Sequence, residues 1–321
     1  MLLFIALTIA AICLTFWILD KFKINPKDRY ILITGCDTGI GNTLAKSLDK
    51  KGCYVFATCL TSEGAESLQK VSSDRLYAIN MDITNSDSIK TAFDTVEKIM
   101  LEKNATLWGL VNNAGVPGYP GFYDWWPREV YRRIIDVNLL GPIEVTNVFL
   151  PLIRSKGKGR IVNASSGVAL TPFSCSGYSM SKCALEAFSD CLRHQLCYTY
   201  ISVHMIEPTY FLTHMTDATM KSDKIEMSWN QMTQSQRDYY GRSCIDQIIE
   251  LTKQEQQVSD PNLHLVSDAM EHALFGWFPW RRYPIGGLVK YVARPASVLP
   301  AFIVDYLRRV IVPLPKPQGC H

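Results

Sequence analysis

The sequence predicts an α/β protein built on a doubly wound parallel sheet, and three observations predict it. An apolar run, Tyr30–Thr34, passes directly into a glycine-rich turn and then into a helical pattern. Short apolar runs of strand length then alternate with helical periodicity as far as Glu207. Each run also ends in small or polar residues, as parallel strands do when ligands bind at their carboxyl ends.

In chain order, residues 2–19 form an uncharged apolar run of eighteen residues, long enough to cross a bilayer as a helix. The run lacks the basic N-terminal region and the small-x-small cleavage site of a signal peptide, so residues 1–20 read as an uncleaved membrane anchor. Lys21, Lys23, Lys27 and Arg29 follow it, and the positive-inside bias turns the body of the chain toward the cytosol. A lumenal body is the alternative; the sequon Asn104-Ala105-Thr106 would be usable only there.

After the first strand comes Gly35-Cys36-Asp37-Thr38-Gly39-Ile40-Gly41, with a helix to Lys51. Glycines there permit a tight turn and let backbone amides approach a pyrophosphate at the helix N-terminus. The spacing is G-x-x-x-G-x-G rather than G-x-G-x-x-G, and the strand–turn–helix context gives it meaning. The second strand, 54–58, runs into Thr58-Cys59-Leu60-Thr61-Ser62. That stretch holds neither the acid that binds adenosine ribose hydroxyls nor a basic partner for a 2′-phosphate, and Thr38 is not basic either, which favours NAD over NADP.

The third strand, 76–81, ends at Asp82, which reads either as a neighbour of the adenine or as a solvated strand-end acid. A helix over 86–103 precedes a strand over 107–111 that runs into Asn112-Asn113-Ala114-Gly115. The long helical stretch 127–154 carries Asn138 on an apolar face, where it is either a satisfied core amide or part of a proton relay.

The run Arg160-Ile161-Val162-Asn163-Ala164 is a buried strand ending in Ser165 and Ser166, and a loop leads on to Tyr178 and Lys182. On a helix, that four-residue spacing sets the last two side chains on one face. An ammonium there favours the phenolate, so the pair can exchange a proton with an alcohol or carbonyl. A serine at the strand tip can hold the reacting oxygen. Tyr-x-x-x-Lys alone is a common surface pair; its place after the Ser-Ser strand end favours the chemical reading.

A strand over 201–207 ends at Pro208, with Thr213 within reach of a nicotinamide carboxamide. Residues 213–262 read as a helical, substrate-side insertion of the kind that forms lids and pockets. An amphipathic helix follows over 264–278, and 283–321 is an apolar extension that either lies on a membrane, roofs a pocket or packs in the core. Trp125 and Trp126 are further pocket candidates by composition.

With 47% hydrophobic and 20% charged residues, disorder is excluded, and a net charge of +3 gives no case for nucleic acid. Ten scattered cysteines without a C-x-x-C read as reduced thiols, and no metal site is suggested.

Together, Thr34-Gly35-x-x-x-Gly39-Ile40-Gly41, Asn112-Asn113-Ala114-Gly115, Asn138, Ser166 and Tyr178-x-x-x-Lys182 resemble the short-chain dehydrogenase/reductase family over 27–213, and weaker matches extend nearly to the C-terminus. The resemblance implies one such domain over 27–321, with Tyr178 as general acid/base and Lys182 lowering its pKa and binding the nicotinamide ribose. It also implies Ser166 on the substrate oxygen and Asn138 on a relay water. A dinucleotide would contact Gly35, Asp37, Thr38, Gly39, Ile40, Gly41, Cys59, Asp82, Asn112, Ala114, Gly115 and Thr213, as well as Tyr178 and Lys182. Strings such as Thr34-Gly35-Cys36-Asp37, Leu107-Trp108-Gly109 and Glu186-Ala187-Phe188-Ser189-Asp190 resemble the microsomal retinol and hydroxysteroid dehydrogenase branch.

That branch implies attachment to the endoplasmic reticulum membrane, a lipophilic alcohol or carbonyl as substrate, and NAD; a homodimer is compatible with it. Two alternatives stand. One is a 3-hydroxybutyrate-type dehydrogenase, which needs a cationic clamp for the carboxylate; the other is a non-catalytic lipid- or cofactor-binding protein on the same fold. The apolar N-terminus and the twelve-residue step from Ser166 to Tyr178 favour the retinol and steroid side. The chain departs from the family at Glu207-Pro208-Thr209, where Pro-Gly is usual, and in the loop 171–176.

Overall fold

Runs of Ile, Val, Leu and aromatic residues with no alternation bury both faces of a strand, and parallel strands need that. In the computed structural model, β1 (Tyr30–Thr34) and β4 (Leu107–Asn112) are buried at every residue. With β2 (Tyr54–Cys59), β3 (Leu76–Asn80), β5 (Lys158–Ala164), β6 (Tyr200–Pro208) and β7 (Arg282–Ile285) they form one sheet. Its order is β3-β2-β1-β4-β5-β6-β7, and every neighbouring pair is parallel. The structure describes residues 18–155, 157–172, 177–311 and 314–320, with Met1, Thr8, Leu14 and Thr15. Most of the predicted anchor run, and Phe173 to Ser176 of the loop before Tyr178, lie outside the described residues.

Helices α1 (Gly39–Lys50) and α2 (Ser62–Gln69) pack on one face of the sheet through Leu44, Leu48 and Leu68. On the other face lie α3 (Ser86–Glu102) and, after α4 (Arg128–Ile135), α5 (Gly141–Arg154) and α6 (Gly177–Gln195). The chain therefore changes face and direction between β1 and β4, which opens the crevice expected of a doubly wound sheet. Among the described residues, 128–154 is the one helical run long and apolar enough to cross a membrane. Its Val145, Phe149 and Ile153 are fully buried in the sheet-facing core.

Residues 213–262 contain three helices. They are α7 (Ala218–Gln231), α8 (Gln234–Tyr240) and α9 (Arg242–Gln257), which close a satellite core around Trp125 and Trp126. Helix α10 (His264–Phe275) returns to the first face, and α11 (Ala301–Ile311) lies near the C-terminus.

The seventh strand is absent from the sequence expectation, which assigns 283 onward to an apolar extension. Four residues containing a proline give no strand signal, yet Pro284 is tolerated because β7 is an edge strand. Glu207 explains why β7 docks there. Its carboxylate is fully buried and meets Arg282 at 3.0 Å and Arg294 at 2.6 Å. Arg282 also binds Glu186 at 2.5 Å and Asp190 at 2.8 Å, both on α6. The departure at Glu207-Pro208-Thr209 is thus a structural ion cluster that ties β6, β7 and α6 together. Thr209 needs no left-handed backbone, since the positive φ of this corner falls at Gly286 (+93°).

Removing one partner from a buried ion cluster leaves its counter-charges uncompensated. Arg282→Met is expected to lower unfolding free energy by about 2–4 kcal/mol, read as a shifted urea midpoint. An unshifted midpoint would mean that the cluster carries no stability.

Candidate active site

The glycine turn is pressed against the end of β4. Gly35 has φ +71°, and a Cβ on it would stand 2.7 Å from Ala114 Cα. A Cβ on Gly41 would stand 2.4 Å from both Asn113 Nδ2 and Gly35 O. Asn113 holds the turn by donating from Nδ2 to Thr34 O (2.9 Å) and Gly35 O (3.0 Å). Thr34 Oγ1 accepts the N–H groups of Asn113 and Ala114, each at 3.0 Å.

Helix α1 begins at Gly39 with no side-chain cap from Thr38 and no acid in its first turn. Helices α2 and α3, by contrast, are capped by the side chains of Thr61 and Asn85. The first-turn N–H groups of α1 remain available to an external anion.

An acid from the glycine turn does reach the end of β2. Asp37 accepts from Leu60 N (2.9 Å), Thr61 N (3.0 Å) and Thr61 Oγ1 (2.8 Å), so its carboxylate sits at the end of β2. The sequence signal was present, but only the fold brings residue 37 to residue 61.

Three predicted contacts have side chains engaged elsewhere. Cys59 is fully buried in the core, and burial, with Asp37 adding, pushes its thiol up to about 12. Asp82 Oδ1 accepts from Thr84 N and Oγ1 at 2.8 and 2.7 Å. Asn112 Nδ2 donates to Thr146 Oγ1 and Asn163 Oδ1, each at 2.9 Å, inside the far-side core. Its neighbour Asn113, not singled out from the sequence, is the one that touches the turn.

The second half of the site is built around α6. Lys182 is buried, and its Nζ donates to Ala164 O at 2.7 Å. The same Nζ lies 5.6 Å from the centroid of the Tyr178 ring. The Tyr178 hydroxyl faces Ser166, and both line the same cavity. Ser165 points the other way, donating to Glu186 Oε1 at 2.9 Å.

Asn138 is fully buried on a π-turn, Asp136–Leu140, inserted between α4 and α5. Such single wide turns recur at functional sites. Its Oδ1 accepts Val116 N at 2.8 Å, and its Nδ2 donates to Val116 O (3.0 Å) and Ser181 Oγ (3.2 Å). Gly115 completes the junction, since a Cβ there would meet Asn138 Oδ1 at 3.1 Å and Lys182 Nζ at 3.8 Å. Thr213 closes the opposite side, its Cγ2 3.6 Å from where a Cβ on Gly39 would be.

Burial dominates the titration of this face. It lifts the Tyr178 hydroxyl above the ordinary tyrosine value; the Ser166 hydroxyl offsets part of this, and the charge of Glu255 adds to it. Lys182, which the resemblance makes the group that lowers this hydroxyl, is not among the causes. Lys182 itself is lowered to about 8 by burial.

Ser166 and Tyr178 open into a cavity of about 630 Å³. Ile40 and Thr213 line its glycine-turn side, Ile248 and Leu251 its insertion side, and Leu288, Val289 and Leu314 are contributed by the C-terminal segment. The apolar tail therefore roofs a pocket, one of its three expected roles. Trp125 and Trp126 do not line the cavity; they are buried in the satellite core, 5% and 7% exposed.

An uncapped helix N-terminus at the sheet's switch point, beside a Ser–Tyr–Lys cluster at one end of an apolar cavity, is the arrangement of a dinucleotide-dependent oxidoreductase. A family model described as short chain dehydrogenase matches residues 29–224, and the chain belongs to that family. It is 41% identical over 296 residues to retinol dehydrogenase 16 of Rattus norvegicus, covering 92% of each chain. It is 40% identical over 306 residues to 17-beta-hydroxysteroid dehydrogenase type 6 of Bos taurus, covering 95% of this chain and 96% of that one. Among solved structures, a short-chain dehydrogenase from Streptomyces avermitilis shares the fold at TM-score 0.68 and 23% identity, over 88% of this chain and 95% of that one. A short chain dehydrogenase/reductase from Burkholderia phymatum in complex with NAD does so at TM-score 0.66 and 19% identity, over 92% and 99%.

The folded Lys182 loses its proton near 8, below its unfolded value of 10.5, so burial of the charge costs stability at low pH. Stability then rises as pH climbs from about 8 toward 10.5, where the unfolded chain binds the extra proton. Lys182→Met is expected to be more stable than the parent at pH 7 by about 3 kcal/mol, with the gap closing across that window. A gap that stays constant from pH 7 to 10 would contradict this.

Proposed function

We propose that the protein is an NAD-dependent oxidoreductase that interconverts a lipophilic alcohol, a retinol or hydroxysteroid, and its carbonyl. The observation that carries the reading is the placing of Ser166 and Tyr178 together in the wall of an otherwise mainly apolar cavity. The curated relatives, named as retinol and hydroxysteroid dehydrogenases, support the substrate class. A nicotinamide dinucleotide, when bound, takes the hydride from the carbinol carbon or returns it.

The residues present fit that group. The free N–H groups of Gly39, Ile40 and Gly41 suit a pyrophosphate, and Lys182 suits the nicotinamide ribose. Asp37 at the end of β2 suits ribose hydroxyls and repels a 2′-phosphate, which favours NAD.

In the reaction, Ser166 donates a hydrogen bond to the substrate oxygen, and Tyr178 takes the hydroxyl proton during oxidation or gives it during reduction. Lys182, held by Ala164 O, presents positive charge to the phenolate that forms. Asn138 sets the backbone at Val116 and holds Ser181, a positioning role to which a relay water can be added. A hydroxyacid substrate is disfavoured, because Lys221, a cation in the cavity, is already neutralised by Glu255 at 2.5 Å.

The test is hydride transfer by the expressed full-length protein in membranes, with all-trans-retinol, hydroxysteroids and 3-hydroxybutyrate, each with NAD and NADP. Lipophilic alcohols are expected to be oxidised with NAD at least ~10-fold better than with NADP. Tyr178→Phe is expected to lose about 100-fold or more in kcat while still binding NAD. Full activity in that variant would refute Tyr178 as the acid/base, and turnover of 3-hydroxybutyrate alone would refute the substrate class.

We also infer that residues 1–20 anchor a single catalytic domain, 27–321, on the cytosolic side of the endoplasmic reticulum membrane. Support comes from the apolar run and the basic residues after it. Asn104 is exposed in the turn after α3, with φ +45°, so a lumenal body would leave it open to glycosylation. Endoglycosidase treatment of the cell-expressed protein is expected to leave its mobility unchanged; a shift would place the body in the lumen.

A further inference from the structure

One ion pair stands in the wall of the substrate cavity. Lys221 on α7 and Glu255 on α9 both line the space that Ser166 and Tyr178 open into. Lys221 Nζ donates to Glu255 Oε1 at 2.5 Å, with the two side chains 10% and 25% exposed. The neighbouring residue, Gln256, accepts Ala218 N at 3.0 Å through its side chain, which fixes α7 against α9 beside the pair. The pair is thus held in place before any substrate arrives.

Stability does not account for it. A largely buried ion pair is worth no more to the fold than apolar side chains of similar volume, and often less. Tyr178, Ser166 and Lys182 supply the proton chemistry, and Glu255 enters it only as a charge that raises the Tyr178 hydroxyl. The pair also retains unused hydrogen-bonding capacity toward the cavity. An ammonium has three N–H donors and only one is given to Glu255, while among the described residues no partner takes Glu255 Oε2. The charge of Glu255 is felt inside the cavity: after burial, it is the next cause raising the hydroxyl of Tyr210, which is pushed up to about 12.

We infer that the Lys221–Glu255 pair selects, among lipophilic alcohols, those that carry a second oxygen, such as a steroid diol or hydroxyketone, over alcohols with a single polar group. The inference rests on the lipophilic-alcohol reading above and sharpens it. A second hydroxyl can donate to Glu255 and accept from Lys221; a second ketone can accept from Lys221. Either oxidation state at the remote position is therefore accepted. A ligand with one oxygen strips water from the pair and returns nothing, and leaving a desolvated polar group unmatched is penalised.

The experiment compares androstane-3,17-diol with the two mono-ols lacking one or the other oxygen, and with all-trans-retinol, using the full-length membrane-bound enzyme and NAD. The parent enzyme is expected to show a kcat/KM for the diol about 10- to 100-fold above that for the better mono-ol. In Lys221→Met/Glu255→Leu that ratio is expected to fall below about 3, while the exchanged pair Lys221→Glu/Glu255→Lys keeps it above about 10. A ratio near 1 in the parent enzyme overturns the inference whether or not the variants fold. So does a ratio that survives in the double variant, and so does turnover of retinol with the diol ignored; each of these leaves the oxidoreductase reading standing. Silence toward every lipophilic alcohol, mono-ols and retinol included, overturns the underlying reading and the inference with it.

Discussion

The crevice depends on a few hydrogen bonds where the sheet reverses direction. Thr34 ends β1 and Asn113 follows β4, and between them they join the two strands at the point where neighbouring helices part to opposite faces. Without a helix to cover that seam, side chains must close it, and they do so through groups that also shape the glycine turn. The contact leaves no room for a Cβ on Gly35 or Gly41. The position of α1, and with it the direction of its free N–H groups, is set by this seam.

Behind the reacting face lies a second layer of fixed polar groups. The π-turn brings Asn138 onto the backbone of Val116, Ser181 joins it to α6, and Lys182 joins α6 to the end of β5. Glu186, one turn further along α6, draws Ser165 away from the cavity and leaves Ser166 to face it. Asn138, Lys182 and Ser165 are thus each held by a fixed polar partner. Among the described residues of the cavity wall, the charged pair outside this arrangement is Lys221–Glu255, to which selection is assigned.

Much of the fold was legible because buried parallel strands have a plain signature. Six of the seven strands are continuous apolar runs bounded by turn residues, and each appears within about two residues of its expected limits. The seventh was hidden because it is held by Arg282 and its carboxylate partners rather than by an apolar run, and such partners come from distant parts of the chain. In the site, the Tyr-Lys spacing was legible from helix geometry, whereas the choice of Ser166 over Ser165 came only with the family resemblance. The choice between Asn112 and Asn113 was not legible, since an identical doublet at a strand end carries no phase. Asp37 was read as part of the glycine turn, and its service to β2 follows from the sheet order rather than from proximity in sequence.

The ion cluster at the end of β6 also sets when the protein can finish folding. Glu207 is paired with arginines 75 and 87 residues further along the chain. A ribosome that has released β6 has delivered a buried carboxylate with no counter-charge, and the sheet end cannot close around it. The body is completed only when Arg282 and Arg294 emerge and dock. A nascent chain halted before that point keeps its cavity unroofed and its seventh strand missing.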